Sequence, residues 1–165
     1  MGFQLSQLIV EGQQLRLSGT VGEEPVRVPR DAGGGPLPLA QIFTAPERGQ
    51  LIARQDRLLQ LARRGLPAGV SFELVRFVWG RDGRVTVEGE YRDSTGRPVK
   101  SEAKTMSYRP ITSGEIRAAL QLPYPLSAAA AQALIADISP FNDLEYGQIN
   151  TLIDAAEVRG QALEA

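Results

Sequence analysis

Residues 70–108 read VSFELVRFVWGRDGRVTVEGEYRDSTGRPVKSEAKTMSY. Two turn signals, Gly80-Arg81-Asp82-Gly83 and Asp93-Ser94-Thr95-Gly96, divide this stretch into three strand-like runs. Asp-Gly and a glycine in the second turn supply the positive φ that tight bends require. Val, Phe, Thr, Trp and Tyr fill the runs, and these residues suit a pleated, half-buried surface. The reading is a three-stranded antiparallel meander. On strict alternation the first strand puts Phe72, Leu74 and Val78 on one face, with Arg76 among them, and Glu73, Val75, Phe77 and Trp79 on the other. That predicts a central strand or one covered on both sides. The second strand sorts cleanly, with Val85, Val87, Gly89 and Tyr91 opposed to Thr86, Glu88, Glu90 and Arg92. In the third, Lys100, Glu102 and Lys104 alternate, as expected of an edge strand whose charges discourage further pairing.

Upstream, Phe3–Val10 is apolar but alternates poorly. Leu15, Leu17, Gly19 and Val21 alternate with polar residues as a strand does. Val26 and Val28, bracketed by Pro25 and Pro29, predict a short edge strand, because proline cannot donate to a ladder. Residues 31–38, DAGGGPLP, predict a flexible connector. Gly33-Gly34-Gly35 lacks the Lys-Ser/Thr and the following helix of a phosphate-binding loop. Glu47–Arg64 is a helix between Pro46 and Gly65, with Leu51, Ile52, Leu58, Leu59, Leu61 and Ala62 as its apolar stripe. Its arginines lie mostly off that stripe. Downstream, Thr112-Ser113-Gly114-Glu115 forms a capping box for a helix ending near Leu122. Ser127 opens an Ala-rich helix to Ile138. Asn142 with Glu145 starts a third, which Gly160 is expected to fray. No repeat is visible in the sequence.

The expected fold class is therefore α+β: an antiparallel sheet or small open barrel around the meander, one packed helix and a C-terminal group of three helices. Residues 1–110 form the β-rich body and 111–165 a helical extension, within one domain overall. Segment charges are −1 over residues 1–46, +3 over 47–69, +2 over 70–110 and −5 over 111–165. An acidic tail beside a basic body favours a tail that reaches a neighbouring copy.

At 165 residues the chain is long enough to bury a core without metal or disulfide support. It has no Cys and no His. The commonest nucleophile, general base and metal ligands are thereby missing. No catalytic residue, cofactor or metal site is expected, and the chain is not read as an enzyme. No apolar run reaches the length of a membrane span. The N-terminus resembles no signal peptide, so a cytoplasmic or virion location is expected. Met1-Gly2 with Ser6 fits the short myristoylation pattern, which an ordinary start methionine also satisfies.

Three features invite a chemical reading. Ser101-Glu102-Ala103-Lys104 matches S-x-x-K, but residues three apart on a strand face opposite sides. Glu88 and Glu90 share a strand face and could divide acid and base roles, although charge pairing with Arg and Lys neighbours explains them as well. Arg76, Trp79, Arg81, Arg84, Arg92, Arg97, Lys100 and Lys104 combine cations with an aromatic, as single-stranded nucleic-acid surfaces do. The leading expectation is a non-catalytic structural or assembly subunit working through protein–protein contacts. Phage-like heads, necks and tails use small subunits of this kind. Its partners would be further copies or other structural proteins, through Trp79, Tyr108, Ile149, Leu152 and Ile153. A nucleic-acid-binding accessory protein is the alternative.

Overall fold

The computed structural model describes residues 2–29, 34–112, 115, 117–118, 121 and 127–164. In chain order the elements are β1 (Phe3–Glu11), β2 (Gln14–Val21), β3 (Glu24–Val28), β4 (Leu37–Pro38), α1 (Leu39–Ile42), α2 (Ala45–Arg63), β5 (Ser71–Gly80), β6 (Arg84–Arg92), β7 (Pro98–Ser107), α3 (Ala128–Ile138) and α4 (Asp143–Glu164). The strands form one open antiparallel sheet in the order β3-β2-β1-β5-β6-β7, and β4 pairs with the start of β2. The expected α+β class and central meander are present. The two strands expected at edges, β3 and β7, lie at opposite ends of that order. Most of the helix 113–122 falls outside the described residues, although the Glu115 N–H does donate to the Thr112 hydroxyl at 3.1 Å.

Two β-bulges explain why alternation failed in β1 and misassigned β5. The β1–β2 register shifts between Leu5 and Gln7, so Phe3 and Leu5 face the core, and after the extra Ser6 so do Leu8 and Val10. The β5–β6 register shifts between Leu74 and Arg76. Phe72 and Leu74 therefore share the inner face with Phe77 and Trp79, whereas Val75 is 41% exposed. A bulge inserts one unpaired residue and switches the parity of the inward set, from odd to even numbers in β1 and from even to odd in β5. Strand β5 is accordingly central in the sheet, between β1 and β6, and covered on one face, not two.

The bulges also reveal an internal pseudo-two-fold axis that the sequence conceals. Leu5 pairs with Gly19 and Leu8 with Leu17; Leu74 pairs with Gly89 and Phe77 with Val87. Phe3, Leu5, Leu8 and Val10 thus correspond to Phe72, Leu74, Phe77 and Trp79. Leu15, Leu17, Gly19 and Val21 correspond to Val85, Val87, Gly89 and Tyr91. At the β1–β5 seam Ile9 faces its own counterpart Val78, flanked by Leu8↔Trp79 and Val10↔Phe77. Each meander places a phenylalanine ring over a glycine. A Cβ at Gly19 would lie 2.0 Å from the Gln4 carbonyl and 2.9 Å from the Phe3 ring; at Gly89 it would lie 2.5 Å from both the Glu73 carbonyl and the Phe72 ring. Among these core positions the halves share identity only at Phe3/Phe72, Leu5/Leu74 and Gly19/Gly89, too few for the repeat to show in residue matching.

The helices cover one face of the sheet. Thr44 caps α2 in a capping box with Glu47, and Pro46 occupies its first turn. Asn142 and Glu145 form the equivalent box at α4. Leu51, Leu58 and Ala62 of α2 and Ile149, Leu152, Ile153 and Ala156 of α4 enter the same core as the sheet residues. So α4 docks on its own sheet and does not reach for a neighbour. Its Glu157 accepts from the Leu5 N–H at 2.8 Å, and Arg81 bridges Asp154 at 2.5 Å and Glu157 at 3.1 Å. Intrachain pairing thus absorbs the charge split expected to act between copies. Gly160 does not fray the helix, which continues to Glu164. The glycine is buried where a Cβ would meet Leu17 at 2.8 Å. Among the described residues no helix is long and apolar enough to cross a membrane.

Candidate interaction surface

The β1 ladder on β5 covers Phe77–Gly80, and β5, β6 and β7 run on beyond it as a three-stranded arm. At about 3.3 Å per residue, Ser71–Arg76 carries this arm roughly 20 Å past the seam. The tip turn is closed by Asp93, whose Oδ1 accepts from the Thr95 hydroxyl at 2.6 Å, the Thr95 N–H at 2.9 Å and the Arg97 N–H at 3.0 Å. The Thr95 hydroxyl and the Arg97 amide hold this carboxyl below the usual carboxylate range. Gly96 completes the turn at φ 83°.

The arm's inner face is an aromatic pair under cations. Phe72 and Tyr91 meet edge-on at 5.5 Å. The Lys104 ammonium sits 5.8 Å from the Tyr91 ring centre and 6.0 Å from that of Phe72, and donates to the Ala62 carbonyl at 2.9 Å. A lysine on one of the last carbonyls of α2 suits the negative end of that helix. Arg63 reaches the Phe72 carbonyl at 3.3 Å, occupying part of the β5 edge that β1 leaves uncovered. The Tyr91 hydroxyl holds the Glu102 carboxyl below its ordinary value, and Lys100 lies 3.9 Å from that carboxylate.

The outer face is neutralised pair by pair. Arg76 joins Glu11 at 2.9 Å and Glu88 at 2.8 Å; Arg92 joins Glu90 at 3.0 Å. Glu88 and Glu90 are thus each paired with a separate cation, as charge pairing across a strand face leads one to expect. Ser101 lies on this outer face and Lys104 on the inner one, so the S-x-x-K residues cannot meet.

The eight residues read as a nucleic-acid surface are dispersed. Trp79 is 1% exposed and donates its indole N–H to Gln55 at 3.1 Å, out of reach of any base. Arg76, Arg81 and Arg92 are engaged by carboxylates, and Lys104 by Ala62. Arg84, Arg97 and Lys100 face solvent at separate places. The interface set is also corrected. Trp79, Tyr108, Ile149, Leu152 and Ile153 are all buried in the common core, because the tail packs inward and the aromatics fill the sheet's covered face. One residue that sequence reasoning passed over matters there. Gln55 is buried in line with Leu51, Leu58 and Ala62, and a lone polar residue in an apolar stripe was the available signal. The Tyr108 hydroxyl donates to the Gly80 carbonyl at 2.6 Å, and burial pushes its pKa up to about 12.

Two open clefts lie beside the helices. One of about 720 Å³ lies between α2 and the α3–α4 junction, and contains Arg57 paired with Glu145 at 2.8 Å and stacked 5.2 Å from Phe141. The other, about 650 Å³, is lined by Gln4, Ser6, Thr20, Arg81 and Glu157, and Arg81 is held by the carboxylates of α4. In each, the arginine named is already paired with a carboxylate.

Among the described residues β7 is the long strand with an open backbone edge; the shorter β3 ends the sheet on the other side. Strand β7 is ten residues long and has β6 on one side. The Tyr108 N–H donates to the Gly83 carbonyl at 2.9 Å. Antiparallel pairing alternates, so residues of that parity, including Glu102 and Lys104, bond inward to β6. Ser101, Ala103 and Thr105 then aim their N–H and C=O at the open edge. The chain matches no protein-family model, no curated protein and no solved structure.

Proposed function

We propose that the protein is a non-catalytic structural or assembly subunit that works through protein–protein contacts, of the kind phage-like particles use in heads, necks and tails. The observation that carries this reading is the β7 edge. A long strand with open backbone groups is a template for pairing with another chain. Exposed apolar side chains near the ends of the fold support it: Val99 is 65% exposed, Leu144 71% and Val158 69%. The neutral, dispersed ion pairs weigh against a nucleic-acid face, which draws its affinity from clustered cations. Sedimentation velocity over a wide concentration range tests the reading, because association obeys mass action. The expected result is a sedimentation coefficient that rises with concentration. A protein that remains monomeric near ~1 mM, and forms no stable complex with any co-expressed neighbour, contradicts it.

A further inference from the structure

We infer that β7 pairs antiparallel with the β7 of a second copy, about a two-fold axis at Ala103, so that the arms of two subunits lie side by side. The inference rests on the assembly reading and names the contact within it.

Self-pairing about an axis normal to the sheet keeps each side chain on its own face, so paired residue numbers must share parity. The centre is then a residue, and the charges of β7 select which one. An axis at Glu102 sets Lys100 against the partner's Lys104, a like-charge pair that is destabilising. An axis at Ser101 or Ala103 sets each Glu102 against a lysine of the other copy. The alternating lysines that guard an edge against arbitrary strands therefore permit these two self-registers. A bulge then separates them. The β6–β7 register shifts between Tyr91 and Arg92, where Lys100 and Pro98 are the successive partners and Val99 is the extra residue. The Ser101 axis needs Val99 for a ladder bond, and a bulged residue is poorly placed to give one.

The Ala103 axis uses the regular part of the strand. Ser101 would face the partner's Thr105, a favourable hydroxyl pair on the outer face, with small Ala103 side chains meeting at the centre. Glu102 would meet Lys104 on both sides of the axis. Outward groups of Ser101, Ala103 and Thr105 would make about six backbone hydrogen bonds across the seam. The antiparallel arrangement points the arm of each copy toward the body of the other.

The cysteine-free chain makes the test direct. Ala103→Cys places two thiols across the axis at a Cα separation of about 5.5 Å, within disulfide range. In a glutathione redox buffer this variant should form covalent dimer at least about tenfold faster than Thr95→Cys at the exposed tip, since pairing raises the effective thiol concentration. Ala103→Pro removes an N–H that the monomer leaves unused, so the β6 ladder survives while the seam loses two bonds. It should weaken self-association about tenfold or more with circular dichroism unchanged. Equal cross-linking of Ala103→Cys and Thr95→Cys overturns the inference, as does unaltered association of a folded Ala103→Pro variant. Either result in a protein that still assembles removes this contact and leaves the assembly reading standing; a strictly monomeric protein removes both.

Discussion

The two meanders share bulge, glycine and register, yet their outer strands differ. In the first, Val26 and Val28 point inward and are buried at an edge of five residues. At the corresponding places in the second stand Glu102 and Lys104, on an edge of ten. Helix α4 lies along the first half, and its Gly160 lets it settle onto Leu17 and Phe3. The second half is backed by the end of α2, and α3 touches β7. One strand pattern thus supports two surfaces. An apolar inner stripe draws a helix over it, and a charged one keeps the strand in water with its edge free. On the proposed assembly reading, the difference puts the contact surface in the second meander.

The comparison can be broken most forcefully at the seam, where Trp79 and Val10 are counterparts. Trp79→Ala should cost about 3–5 kcal/mol in urea unfolding, through lost ring contacts and an orphaned Gln55. Val10→Ala removes two methyl groups and should cost roughly 2 kcal/mol. Equal losses would deny Trp79 its central role. Next come the glycines. Gly19→Ala and Gly89→Ala should each cost about 1–3 kcal/mol by overpacking, Gly19→Ala more, because its Cβ meets a carbonyl at 2.0 Å. A neutral outcome at one of them would mean that the halves are not built alike.

Exchanging the edge characters sharpens the contrast. Val26→Glu should destabilise by about 1–2 kcal/mol, since it puts a carboxylate under α4. Glu102→Val should change monomer stability by no more than about 0.5 kcal/mol. Thermal melts of both variants at low concentration provide the check. A separate effect is expected in alkali. The fold keeps Tyr108 protonated up to about pH 12, against 10.0 for the free side chain. Its contribution is complete below the unfolded value and is lost as pH rises through the folded one. Unfolding free energies measured across this window should decline, and more gently in Tyr108→Phe.

Much of the fold was legible in the sequence. Asp82-Gly83 and Gly96 marked the meander, prolines 25 and 29 marked one edge, and Lys100 and Lys104 the other. What hid was whatever breaks a period. Ser6 and Val75 each shift the inward set by one residue, which made β1 look irregular and β5 two-sided, and concealed the repeat. The tail was misjudged from net charge, because the partners of Asp154 and Glu157 lie 73 and 76 positions earlier at Arg81. The interface residues were misplaced for the same reason: apolar character names a buried side chain without naming what buries it. The β7 edge was legible as an edge, but its free backbone parity depends on the Tyr108–Gly83 bond, which no residue pattern records.

Residue-resolved amide hydrogen exchange by NMR, at low and high protein concentration, tests most directly whether copies meet at the second meander. Protection at Ser101, Ala103 and Thr105 should rise with concentration, while the amides of β3 stay unchanged. Concentration-independent exchange along β7, or protection gained at β3 instead, would contradict the account.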